Sequence, residues 1–203
     1  MNANEKNQFQ ERPQVSVTKH QPKPWSKLTY YRLIDGEGDL NTSRAYAEAV
    51  EALFAVSDSA KLMVKKCPAA IDYGVIPLEG LWWPDDMSRF STANKTSWKW
   101  IMMIMQPPPE TKRVIRMAQA AVSEKKSHID LVKLRFEGFT DGSCAKTLHL
   151  GPFSEEGATI ERVHQFIQFR GGKLTGKHHE ICLSDTRQTA PAKSKTVIRQ
   201  PFR

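Results

Sequence analysis

The chain has 203 residues, with 30 Lys and Arg against 22 Asp and Glu, a net charge of +8 and 39% hydrophobic residues. This is enough for one large domain or two small ones with a sizeable core. No apolar run is long enough for a transmembrane helix, and three cysteines without paired spacing exclude a disulfide scaffold and point to a reducing, cytoplasmic setting.

The positive charge lies in small separate groups: Lys65-Lys66, Lys125-Lys126 and the tail residues Lys193, Lys195, Arg199 and Arg203. No nucleic-acid-binding motif accompanies them, so they read as solvated surface, and neither nucleic acid nor a membrane is an expected partner. Residues 1–24 are rich in Asn, Gln and Glu, hold Pro13, Pro22 and Pro24, and read as a disordered arm rather than a leader. A domain is expected from 25 to 203.

Leu28–Ile34 (LTYYRLI) reads as a strand, expected to be stopped by Asp35-Gly36 and Gly38. Asn41 to Ser43 supply caps for a helix to Lys66, with Tyr46, Val50, Leu53 and Phe54 inward. Ile71–Trp83 reads as two short strands broken at Pro77, followed by a polar loop over 85–95. Trp98–Met105 is nearly continuously apolar, as a central strand should be. A second helix is expected from Glu110 to about Glu124, with Val114, Met117, Ala118, Ala121 and Val122 inward. Thr140-Asp141-Gly142 predicts a hairpin between Leu131–Phe139 and Ser143–Leu150. Ser154 is the expected cap of a third helix, with Glu155 and Glu156 in its first turn, Ile160, Val163 and Ile167 inward, and Gly171-Gly172 at its end.

The stretch Lys177–Leu183 reads as a strand, and Thr196–Phe202 as the last one. Alternation puts His179, Ile181 and Leu183 on one face of the former, the expected core side, and His178, Glu180 and Cys182 on the other. A carboxylate within a strand implies that its face meets water or lines a cavity. A metal held by His178, Glu180 and Cys182 lacks an identifiable fourth ligand, and no metal or cofactor is expected. The order strand, helix, strand, strand occurs twice, over about 28–105 and 143–202. Two such units predict an antiparallel α+β domain with a groove between them.

Three segments carry a resemblance to a known family: Asp72 to Trp83 (DYGVIPLEGLWW), His149 to Thr159 (HLGPFSEEGAT), and His178 to Asp185 (HHEICLSD) continuing to Lys195–Pro201 (KTVIRQP). Together they resemble the stand-alone branch of the GyrI-like small-molecule-binding domain proteins over about 25–203. The resemblance implies two pseudo-symmetric strand-helix-strand-strand modules with a central ligand cleft. Relatives fused to a helix-turn-helix sense drugs, and the arm before Leu28 is expected to be too short for such a domain. Some stand-alone members hydrolyse cyclopropane-bearing, DNA-alkylating natural products, which implies a catalytic pair at Glu156 and Glu180. Glu155 competes with its neighbour for that role, and Glu79 reads as a turn acid. The ligand wall is expected to include Tyr73, Trp82, Trp100, Met103, Phe153, His178 and Cys182. The family usually has Tyr where Cys182 stands and Pro where Thr186 stands. The alternative to hydrolysis is therefore a protein that binds or sequesters drugs without turnover.

Overall fold

In the computed structural model the described residues are 15–18, 29–39, 42–68, 71–84, 98–107, 112–185 and 187–203. Among them, strands β1 (Ser16–Thr18), β2 (Thr29–Glu37), β3 (Leu78–Trp83), β4 (Lys99–Met105), β5 (Arg135–Phe139), β6 (Cys144–Leu150), β7 (His178–Cys182) and β8 (Lys195–Pro201) alternate with helices α1 (Arg44–Lys66), α2 (Lys112–Lys125) and α3 (Gly157–Phe169). The fold class is α+β with antiparallel pairing. The chain divides into two compact units, one of residues 26–140 and one of 141–203 together with 1–25.

In the first unit the strands run in the order β3-β4-β2-β5. The side chain of Ser43 accepts a hydrogen bond from the Tyr46 amide at 3.3 Å and caps α1, as its position predicts. The helix buries Ala49, Val50, Leu53, Val56, Ala60 and Val64 at helical spacing. Its Tyr46 ring meets those of Trp82 and Trp100, and its Ser57 hydroxyl accepts from the buried Arg32 at 2.9 Å. These contacts identify the sheet face that α1 covers. β2 runs through Asp35-Gly36 to Glu37 and ends just before Gly38, the last of the expected stop residues. Gly36 pairs with Trp100, and a Cβ there would sit 2.1 Å from the indole ring. The glycine makes room for a tryptophan rather than turning the chain.

Residues 71–77 form no strand, and one strand begins after Pro77, whose missing N–H cannot join a ladder. In α2 the buried stripe is Ile115, Ala118 and Val122; Met117, expected inward, lies off that stripe and is half exposed. Glu110 and the 85–95 loop lie outside the described residues.

In the second unit the order is β1-β6-β8-β7, and α3 packs on β6 and β8 through Ile160, Val163 and Ile167. The two units repeat one topology. Strand, helix, strand, strand gives β3-β4-β2 in the first and β7-β8-β6 in the second, with one added strand beside β2 and β6 respectively.

The predicted hairpin does not form. β5 pairs with β2, held by a Tyr30–Phe136 stack and the Arg135–Asp35 ion pair, whereas β6 pairs with β8 and β1. Gly142 does take the left-handed conformation, with φ of 75°, but Asp141 beside it is bound by His179 and Arg199. Ser16–Thr18, within the arm expected to be disordered, pairs with Cys144–Lys146, and residues 1–14 and 19–28 lie outside the described residues. Ser154 is not a helix cap: Phe153–Glu155 form a 3-10 turn, and Glu156 takes the position before α3. Gly171 ends α3 with φ of 72°.

Candidate functional site

Register assigns the faces of the second unit. Thr147, Ile198 and Glu180 lie in one row across β6, β8 and β7; His149, Thr196 and Cys182 lie in the next. His149 hydrogen-bonds Thr159 of α3, so this is the face that the helix covers. The face of His178, Glu180 and Cys182 is therefore the one that α3 covers; on the other face His179 is buried, but Leu183, expected in the core with it, is not. Leu183 is half exposed, while Glu180 is 6% exposed. The reason is tertiary: α3 lies across that side, and strand alternation alone does not say which side a helix will take.

Glu156 stands immediately before α3 and is 1% exposed, whereas Glu155 is exposed. Burial thus separates the two adjacent acids. Two buried carboxylates are costly unless bonded or used. Glu180 is bonded: its Oε1 lies 3.0 Å from Nε2 of the fully buried His178. A carboxylate only accepts, so that imidazole nitrogen carries the hydrogen. His178, expected in the ligand wall, is a hydrogen-bond partner of Glu180. His164 of α3 lies close enough to His178 for the two to interact. Burial, and then that second imidazole, hold the His164 pKa below the ordinary value, against a hydrogen bond that His164 donates to Gln200. The Gln200 amide nitrogen is itself turned to the Thr175 and Pro201 carbonyls.

The opposite face of this sheet carries a cluster that composition and spacing did not single out. His179 Nδ1 lies 2.6 Å from Asp141 Oδ2, and Arg199 approaches the same oxygen at 3.0 Å. Burial works to raise the Asp141 pKa, but the hydrogen bond and charge of His179, aided by Arg199, hold it below the usual value. Burial and Asp141 push the Cys144 thiol up to about 11. The signal was present in the alternation of β7, which must place His179 opposite Glu180; its partner, 38 residues away, was hidden by the hairpin reading.

The remaining predicted residues divide. Phe153 and Cys182 share the second unit with the two glutamates, Phe153 half-buried in the 3-10 turn and Cys182 buried beside Glu180. Trp82 and Trp100 lie in the first unit under α1, as core. Met103 lies on that sheet's other face with Tyr31, Leu33 and Leu81, and its register partner is Glu79, a buried strand residue rather than a turn acid. Tyr73 is half-buried in the segment before β3. Thr186 is outside the described residues. Among the described residues no cluster suited to a metal ion occurs, and no helix is long and apolar enough to cross a membrane.

The model of the GyrI-like small molecule binding domain family matches residues 30–203. Among solved structures, an uncharacterized conserved protein from Listeria innocua is similar at 31% identity and a TM-score of 0.79, with 98% of each chain covered. A hydrolase from the same organism is similar at 30% identity and 0.75, again over 98% of each chain. The EcmrR C-terminal domain, at 11% identity and 0.55 over 94% of this chain and 98% of its own, shares the fold. No curated protein matches the chain.

Proposed function

The chain belongs to the GyrI-like small-molecule binding domain family, and from that premise we propose that it hydrolyses cyclopropane-bearing alkylating compounds in the cytoplasm, as a detoxifying enzyme for planar or amphipathic molecules. The observation that carries this reading is the burial of Glu156 and Glu180 within the same unit, with His178 on Glu180. The similar Listeria hydrolase supports turnover as the class of activity.

A water molecule held by the two carboxylates is the nucleophile. One carboxylate accepts its proton as the oxygen bonds to the electrophilic ring carbon. The strained carbon–carbon bond breaks, its electron pair passes into the conjugated group that activates the ring, and that group then takes up a proton. The sum is addition of one water. Exclusion of bulk water strengthens each electrostatic contact at the carboxylates.

Glu156→Gln and Glu180→Gln should each cost roughly a hundredfold to ten-thousandfold in kcat, with affinity and fold retained, while Glu155→Gln costs little. Parent-like hydrolysis by both Gln variants would refute the mechanism. A second reading, binding without turnover, is favoured by Cys182, a thiol in the row beside Glu180 where relatives usually carry Tyr. Stoichiometry separates the two: a sequestering protein protects only up to its own molar amount.

A further inference from the structure

His149, near the end of β6, is 6% exposed and makes two hydrogen bonds that span the turn carrying Glu156. Its Nε2 lies 3.2 Å from the Pro152 carbonyl and its Nδ1 3.1 Å from the Thr159 hydroxyl. A carbonyl only accepts, so Nε2 bears the hydrogen, and in the neutral ring Nδ1 accepts from Thr159. One imidazole thus ties residue 152, before the 3-10 turn, to residue 159, in the first turn of α3. Glu156 stands between them. Its own carbonyl accepts from the amides of Thr159 at 2.8 Å and Ile160 at 2.9 Å. Gly151 admits this arrangement: its φ is 124°, and a Cβ there would approach His149 Nε2 at 3.6 Å and Glu155 Oε2 at 3.7 Å. Its amide is anchored on the Ser194 carbonyl at 3.0 Å.

We infer that His149, acting through Thr159, is a positioning residue that fixes the direction in which the start of α3 presents Glu156. This rests on the reading of Glu156 as a reacting carboxylate. A ring bridging both flanks of a short turn removes the rotation by which the turn would otherwise misplace its acid. A small misplacement of such a group is costly in rate. A histidine that merely satisfied its own nitrogens would leave the geometry at Glu156 unchanged on removal of Thr159.

The test uses the full chain and the substitutions Thr159→Val, which keeps shape but loses the hydroxyl, Thr159→Ser, which restores it, and His149→Phe to assign the resonance. Nitrogen-15 spectra should show His149 as the Nε2–H tautomer. Thr159→Val should lower kcat on a cyclopropane-bearing substrate roughly tenfold or more, with KM within about twofold of the parent. It should also speed amide hydrogen exchange at positions 157–160, while Thr159→Ser keeps both close to the parent. Parent-like kcat in Thr159→Val, or the Nδ1–H tautomer, overturns the inference. If the parent turns over no such compound, the hydrolase reading fails by itself. The exchange data still decide the clamp: faster exchange in Thr159→Val upholds it and unchanged exchange overturns it.

Discussion

Asp141 stays ionised in the fold because His179 and Arg199 hold its charge, and Cys144, two strand positions from Arg199's partner on β6, stays protonated because burial and that same carboxylate oppose a thiolate. These groups and His164 give stability a definite pH dependence. The folded pKa of Asp141 lies below 3.8 and that of His164 below 6.5, so the unfolded chain takes up each proton first as pH falls. Stability from His164 is present above about pH 6.5 and declines below it, and that from Asp141 declines below about 3.8. For Cys144, raised from 9.0 to about 11, the unfolded thiol loses its proton first, so stability falls as pH rises between those values. Denaturant titration across pH should therefore show an acid and an alkaline decline. Cys144→Ala should flatten the alkaline one, and an unchanged decline in that variant would contradict the assignment. Asp141→Asn should cost roughly 2 kcal/mol at neutral pH through the loss of charged hydrogen bonds.

The elements are set by which side chains find room. Gly36 and Gly80 lie in strands because the rings of Trp100 and Trp82 occupy the space that a Cβ would take, at 2.1 and 2.6 Å. Gly36→Ala and Gly80→Ala should each destabilise by roughly 1–3 kcal/mol, with lower thermal midpoints. A midpoint equal to the parent's in both would show that the tryptophans can move aside. The same packing marks where reading from sequence succeeds. The stripes of α1 and α3, the Ser43 cap, the apolar β4 and the repeated strand-helix-strand-strand order were legible, because each depends on residues close in the chain. Gly36 looked like a turn because its partner, Trp100, is remote. The hairpin at 140–142 failed because the Asp141 carboxylate is claimed by His179 and Arg199, and each flanking strand pairs elsewhere. Glu180 was found by its oddity in a strand, but its covered face depends on α3, and so does the departure of Leu183 from the core.

At the scale of the whole molecule, the repeated topology assigns each unit one strand from outside its strand-helix-strand-strand core: β5 beside β2 and β1 beside β6. The β1 strand is only three residues long, Ser16–Thr18, yet it lies along Cys144–Lys146 and so occupies hydrogen-bonding groups at the start of β6, next to Asp141. A bare strand edge recruits whatever extended chain is near. On this principle the short arm strand should guard β6 against self-association. Without residues 1–18 the shortened protein should form concentration-dependent dimers or larger species in sedimentation experiments. The intact chain should stay at one size across the same concentrations, and identical behaviour of the two would mean that β6 needs no such guard.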